Sequence, residues 1–371
     1  MGVLLAGNAM HPRVERHPAP GIVFPPESSP GAAHELASRR FCAGILSDLL
    51  ADAGLATLHV PRDTVLLHDL AGLGIDDARL IFGGVVPHAF LATKVIGHPL
   101  VDAQARAPRG WSHALAARMA PCVLPGYSVF AADDLIEAFR RMRAHGQVRV
   151  KCAGARGGHG QACIDEEASL LRWMQDLQPV DWEAGLVVEP HLEQIVAFSI
   201  GAVSVGAIDI AYSGFQYDTV DGAERRVYGG SRLHVVRGTL ESLQGTTADA
   251  GMRAAIAHAR RYEAAVRDAF PDFFATRRNY DIIRGVDGQG RTHCGVLEQS
   301  WRLGGASPAE VLAMRALVRD GTLAQVEAAT CETYDPAPEI PAGAEVHFQG
   351  PLGSSGILTK FASVRPHGNP A

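Results

Sequence analysis

Lys151 stands at the end of the run Gln147–Cys152, and Gly154, Gly157, Gly158 and Gly160 follow within nine residues. The run reads as a strand entering a glycine-rich turn. Glycine lets the backbone approach an anion closely and lets successive N–H groups converge on its oxygens. A lysine at the strand end would add a mobile cation at a phosphate. No helix signal follows directly, so the pattern is neither a GxxxxGK[ST] loop nor a GxGxxG fingerprint. A flexible turn accounts for these glycines as well as a phosphate cradle does, and His159 reads as a solvated loop tip.

A second stretch, Gly185–Glu193 (GLVVEPHLE), lies about forty residues after Lys151. It is an apolar strand ending in Glu189-Pro190-His191-Leu192, where Pro190 fixes the direction of the chain. Its end can present backbone groups, those of His191 and Leu192 among them, to an adenine edge. Glu189 or Glu193 can accept from ribose hydroxyls or an adenine amino group. An ordinary strand with a solvated glutamate is the plainer alternative.

The third stretch is a hairpin, Arg278–Val286 and Arg291–Arg302, around Asp287-Gly288-Gln289-Gly290. With Gly288 and Gln289 as the two loop residues, Asn279 falls opposite Glu298. Side chains alternate along a strand, so Asn279, Asp281, Glu298, Ser300 and Arg302 share one face. Tyr280, Ile282, Leu297 and Trp301 take the other, which is core material. A slip of one residue would scramble this separation. Two converging carboxylates repel unless a cation stands between them, and Mg²⁺ bridging phosphate oxygens is such a cation. A solvent-facing edge hairpin is the competing explanation.

The order of these stretches resembles the ATP-grasp superfamily. The matches are Lys151 with Gly157–Gln161, then Val187–Leu192, then Asp281 with Glu298 and Arg302. Lys94 sits where an earlier nucleotide-contacting lysine is often placed. The segments Gly83–Lys94 (GGVVPHAFLATK), Val227–Ser231 (VYGGS), Arg277–Asp281 (RRNYD) and Leu297–Ser307 (LEQSWRLGGAS) are similar to a family of functionally uncharacterised bacterial ATP-grasp-like proteins. One departure stands out: many ATP-grasp ligases carry Glu-x-Asn at the metal strand, and this chain has Glu298-Gln299-Ser300.

The resemblance implies ATP and Mg²⁺ as cofactors. Lys94, Lys151, Gly157, Gly158, Gly160, Gln161, Glu189, His191, Leu192 and Glu193 would hold the nucleotide. Asp281, Glu298 and Ser300, or Asn279 in place of Ser300, would hold the metal. A substrate carboxylate would attack the γ phosphate in line while Arg302 stabilises the transferring group. An amine or other nucleophile would then capture the acylphosphate. Gly304–Ser307 would bind a carboxylate through its N–H groups or form a tight structural turn. A small-molecule kinase and a non-catalytic nucleotide-binding regulatory protein are the alternatives to this ligase.

Positioning such groups needs an α/β (α+β) chain of several parts. The 371 residues exceed one usual domain. Short apolar runs at Ala56–Val60, Thr64–Leu67 and Leu80–Val86 follow a helical pattern over Ala33–Ala53 and an irregular arm over the first thirty residues. They predict a small, mostly parallel α/β domain over residues 1–92. A small lobe would span 93–190, with helices at Asp133–Ala144 and around Leu170–Leu177. A C-terminal lobe would span 191–371. It would be strand-rich over Ile195–Val236, with turns at Asp221-Gly222 and Gly229-Gly230, then a helix over Met252–Phe270 and a last strand at Glu345–Gln349.

A formal net charge of −6 argues against a nucleic-acid partner. No run reaches the roughly 18 apolar residues of a membrane span. The apolar N-terminus lacks a basic leader, which predicts a cytoplasmic protein. The 6 cysteines form no CxxC pair and the 16 histidines no HExxH, so no zinc motif is legible. The expected partners are a small-molecule carboxylate and a nucleophile, with a homodimer left open.

Overall fold

The computed structural model describes residues 21–25, 32–53, 57–155 and 160–367. Most of the expected N-terminal arm lies outside them, as do Gly157, Gly158 and His159.

Two parallel strand pairs form near the N-terminus: β1 (Gly21–Val23) with β2 (Thr57–His59), and β3 (Val65–Leu66) with β4 (Gly84–Val86). Helix α1 (Ala33–Ala53) precedes β2; it buries Ile45, Leu49 and Leu50 together with Cys42 and Leu46, while Leu36 and Phe41 are half-buried. Gly84 is required where it is. Its N–H donates to the Trp301 carbonyl at 2.7 Å, and a Cβ there would come within 2.7 Å of the Trp301 Cβ. This seam fastens the N-terminal strands to the residue just past the strand Thr292–Ser300.

A four-stranded antiparallel sheet follows, in the order β5 (Tyr127–Val129), β8 (Leu186–Pro190), β6 (Val148–Cys152), β7 (Gln161–Ile164). Helix α2 (His113–Met119) precedes it. Helix α3 (Ala132–Met142) packs Leu135, Ala138, Phe139 and Met142 onto Val148, Val150, Leu186 and Val188. Asp133 and Asp134 in its first turn and Arg140 and Arg141 in its last suit the helix dipole. Helices α4 (Glu167–Met174) and α5 (Pro179–Ala184) complete this part.

The remaining strands build one eight-stranded antiparallel sheet. Its members are β9 (Glu193–Val205), β10 (Ile208–Val220), β11 (Arg226–Arg237), β13 (Arg277–Val286), β14 (Thr292–Ser300), β15 (Gln325–Thr333), β16 (Glu345–Pro351) and β17 (Ile357–Pro366). The order is β14-β13-β9-β10-β11-β15-β17-β16. The short β12 (Phe274–Ala275) pairs with β4 instead. Helix α6 (Ala250–Ala269) covers one face, over Phe198, Ile200, Ala211, Tyr280 and Ile282. Helices α1 and α7 (Ser307–Arg319) cover the other, over Val203, Ile210, Tyr212, Leu233, Val235 and Val326. Among the described residues no helix is long and apolar enough to cross a membrane.

One expected turn is a strand. Asp221-Gly222 does close β10 onto β11, but Gly229-Gly230 lies inside β11. Tyr217 pairs with Gly230 and Asp218 with Tyr228, so Gly229 is the extra residue of a β-bulge. Gly230 has φ of 145°, and a Cβ there would stand 2.1 Å from the Thr330 carbonyl oxygen. Glycine serves here to let three strands approach, not to reverse the chain.

Candidate functional site

The hairpin β13–β14 carries the site, and its register differs from the sequence expectation. Its loop has three residues, Gly288 to Gly290, because the Asp287 N–H donates to Arg291 O at 2.9 Å and Gly290 takes φ of 76°. Pairing next to the loop therefore runs Val286↔Thr292, one residue from the two-residue-loop register. A second shift between Asp281 and Ile282, with Leu297 as the extra residue of β14, sets Asp281 opposite Glu298 and Asn279 opposite Ser300. The loop alone would have turned every side chain over; the bulge turns them back. Asp281, Glu298, Asn279 and Ser300 thus share one face after all.

Asp281 is held by two amides. Asn279 Nδ2 donates to its Oδ1 at 2.7 Å, and Gln216 Nε2 donates to the same oxygen. Burial first, and the Glu298 carboxylate second, raise the Asp281 carboxyl to about 6 against those donors. Behind it runs a buried polar chain. The Tyr212 hydroxyl lies 2.8 Å from Asn279 Oδ1 and 2.7 Å from Glu310 Oε1. Ser199 Oγ donates to Asn279 Oδ1 at 2.8 Å. Glu310 on α7 pairs with Arg277 at 2.6 Å, both fully buried. Arg277 Nη1 also donates to Ser300 Oγ at 3.3 Å and to the Arg302 carbonyl at 2.6 Å. These side chains fix Asp281, Ser300 and the Arg302 backbone relative to one another. The half-buried Arg302 side chain follows β14, with Nη1 donating to Leu303 O at 3.0 Å.

A basic group from outside the hairpin reaches it from the short turn Lys94–Gly97. Lys94 Nζ lies 3.2 Å from Glu298 Oε2 and also donates to the Ala155 carbonyl at 3.2 Å, so it joins the start of the glycine-rich segment to the carboxylate strand. Gln299 Nε2 donates to the Thr93 carbonyl at 2.8 Å, which anchors the same junction. Lys151, on β6 opposite Gln161, ion-pairs with Glu189 Oε2 on β8. His98 Nε2 lies 2.9 Å from Glu189 Oε1. Burial would raise the Glu189 carboxyl, but Lys151 and His98 outweigh it and hold it at about 2.

Gly160 adopts φ of 62° and its carbonyl accepts from Cys152 N at 2.7 Å, closing the glycine-rich segment. Gln161 Oε1 accepts from Arg149 Nη1 at 2.9 Å. Along the strand end, the His191 N–H donates to the Gln147 carbonyl at 2.8 Å, Leu192 is buried and Glu193 is exposed. Burial and Arg149, whose Nη2 lies 2.9 Å from His191 Nδ1, lower the pKa of that imidazole. Gly304–Ser307 is a tight turn: Gly304 N donates to Ser307 Oγ at 3.0 Å and Ser307 N to the Gly304 carbonyl at 3.1 Å. A cavity of about 390 Å³ opens beside Thr93, between the N-terminal strands and α5, lined by Phe90, Arg109 and Glu183 among others.

Residues 34–362 match the family model described as Protein of unknown function (DUF3182). The chain belongs to that family. No curated protein matches this DUF3182 member. Among solved structures it is similar to D-alanyl-alanine synthetase A from Vibrio cholerae, at 9% identity and a TM-score of 0.44, over 81% of this chain and 93% of that one. It is similar to D-cycloserine synthetase at 14% identity and a TM-score of 0.34, over 75% and 92%. The ATP-grasp ligase PsnB, complexed with minimal precursor, is similar at 12% identity and 0.27, over 53% of each chain. Likenesses so slight carry no argument about activity, which must rest on the residues.

Five side chains around this DUF3182 site escaped the sequence reading: His98, Gln216, Tyr212, Arg277 and Glu310. His98 lies 91 residues before Glu189, and Arg277 lies 33 before Glu310, so no local spacing links the partners. Only Glu310, an acidic residue flanked by apolar ones in α7, offered a signal, since burial of such a charge demands a partner.

Proposed function

We propose that this chain is an ATP-grasp enzyme that uses MgATP to activate a carboxylate as an acylphosphate for attack by a nucleophile, an ADP-forming ligase. Its lobes are residues 93–190 and 191–371, behind an N-terminal domain of 1–92. The observation that carries this reading is the meeting of Asp281 and Glu298 with Lys94, which also touches the base of the glycine-rich segment. A structural hairpin has no need to face two carboxylates across its strands beside a lysine from a distant turn, Lys94–Gly97.

Mg²⁺ fits this donor set. Asp281 is raised to about 6 by burial and by Glu298, as befits a carboxylate pair short of a cation, and Lys94 already lends Glu298 a positive charge. Asp281 and Glu298 would hold the ion, with Ser300 beside them. Asn279 positions Asp281 by donating to it. When bound, Mg²⁺ supplies charge neutralisation at phosphate oxygens.

The protein's own groups do the rest. Lys94 releases Glu298 to meet phosphate, and Lys151 stays aligned by Glu189 and His98. Gly160 and Gln161 would hold the phosphates, and the backbone at His191 and Leu192 would meet the adenine. With both Glu189 oxygens occupied, the exposed Glu193 is the acceptor for ribose hydroxyls. Arg302 would stabilise the charge on the transferring group.

Incubation with MgATP and a panel of carboxylates and amines tests the reading. ADP, phosphate and a joined product support it. A stable phosphorylated substrate would reassign the chain to phosphotransfer, and nucleotide binding without turnover to regulation.

A further inference from the structure

The face of the eight-stranded sheet opposite Asp281 carries a second group of ligating side chains. His234 on β11 lies directly across from Glu327 on β15, and Arg365 on β17 lies across from Glu327 on the other side. His367, one residue past β17, returns to the same face two residues on from Arg365. One ligand atom from each of His234, Glu327 and His367 lies within 4.8 Å of the other two. His367 Nδ1 is 2.6 Å from Glu327 Oε1, and the two imidazole rings stand 4.7 Å apart. His234 Nε2 also lies 3.1 Å from Gln325 Oε1, which can orient the ring.

A second His-Asp-His group sharpens the contrast. At His145, Asp287 and His293, Arg291 Nε lies 2.9 Å from Asp287 Oδ2 and Arg291 Nη2 lies 3.0 Å from His145 Nδ1. That guanidinium already supplies the cation. At Glu327, among the described residues, the ion-pair partner is His367, with no lysine or arginine. Two imidazoles around one carboxylate, from β11, β15 and the residue just past β17, form an N₂O ligand set with an open fourth position.

We propose that His234, Glu327 and His367 bind a divalent transition-metal ion of the zinc class, with water completing the coordination. Imidazole donors favour zinc, copper and nickel, whereas magnesium prefers oxygen ligands. Tetrahedral zinc bonds of about 2.0–2.1 Å set donors roughly 3.3 Å apart, so the His367–Glu327 contact of 2.6 Å would open slightly and His234, within 4.8 Å of both, would move in. The ion would staple the end of β17 to β15 and β11, on the sheet face opposite Asp281.

The test is calorimetric titration of the chelator-stripped full chain with ZnCl₂ in excess Mg²⁺. The expected result is one zinc per chain at micromolar Kd or tighter, with a matching rise in Tm. His234→Ala and His367→Ala should each weaken binding by about tenfold or more, the scale that even outer-shell changes reach. His293→Ala, which opens the other cluster, should leave it unchanged. Zinc binding equal to wild type in His234→Ala and His367→Ala, loss confined to His293→Ala, or only millimolar affinity would overturn the assignment. Should a variant fail to fold, the cobalt-substituted wild type decides: intense visible bands of tetrahedral Co²⁺ support the site, and the weak octahedral spectrum refutes it.

Discussion

Lys94 and Glu298 form an ion pair of 3.2 Å that ties the glycine-rich segment to the carboxylate strand. The Glu298 side chain is 41% exposed, so the pair contributes little to stability, on the order of 1 kcal/mol or less. Its proposed importance is to the nucleotide. Lys94→Met should leave the denaturation midpoint nearly unchanged while weakening ATP binding by about tenfold or more, the value of one well-placed charge contact. Paired denaturation and calorimetric titration measure both quantities.

Asp281 and Glu189 should move stability in opposite directions with pH. Asp281 is raised to about 6 in the fold, so its stabilising, protonated form is fully present below the unfolded carboxylate range and is lost as pH rises through 6. Asp281→Asn should therefore make the free protein more stable at pH 8, by about 1–2 kcal/mol, with the difference vanishing near pH 4. Glu189 is lowered to about 2, so its contribution is present above the unfolded range and is lost as pH falls toward 2. Lys151→Met should remove that gain and leave a buried charge, costing about 3–5 kcal/mol at neutral pH. Denaturant titrations across pH check both signs.

The buried chain from Asn279 to Arg277 sets an order of mutational cost. Tyr212→Phe removes one hydroxyl while Ser199 and Arg277 still serve Asn279 and Glu310, so it should cost about 1–2 kcal/mol. Glu310→Gln strips the fully buried Arg277 of its counter-charge and should cost about 3–5 kcal/mol. The reverse order in chemical denaturation would deny the network its electrostatic basis.

Gly230→Ala tests the reinterpreted strand. A Cβ 2.1 Å from Thr330 O, at φ of 145°, forces β10, β11 and β15 apart and should cost roughly 2–4 kcal/mol. If residues 229–230 formed an exposed turn, the same substitution would be tolerated, and thermal unfolding separates the two.

Legibility followed locality. Helix α1 spans Ala33–Ala53, the stretch over which apolar residues recur at helical spacing. The carboxylate pair was visible because alternation along β13 and β14 puts Asp281 and Glu298 on one face in any register of the right parity. The pairing itself was not. A three-residue loop and the bulge at Leu297 are settled by the positive φ of Gly290 and by packing, which local composition does not reveal. Gly229-Gly230 misled because glycine serves both turns and close strand approach. His98, Arg277 and Glu310 are positioned by contacts between distant segments, so nothing near them in sequence announces their partners.

Calorimetric titration with ATP, with and without Mg²⁺, of the wild type, Asp281→Asn and Glu298→Gln tests most directly whether the facing carboxylates serve a nucleotide-bound metal. One ATP per chain, Mg²⁺-dependent binding, and about a tenfold or greater loss of that binding in each variant are expected. Absence of ATP binding to the wild type, or equal Mg²⁺-dependent affinity in all three proteins, would contradict that role of the carboxylates.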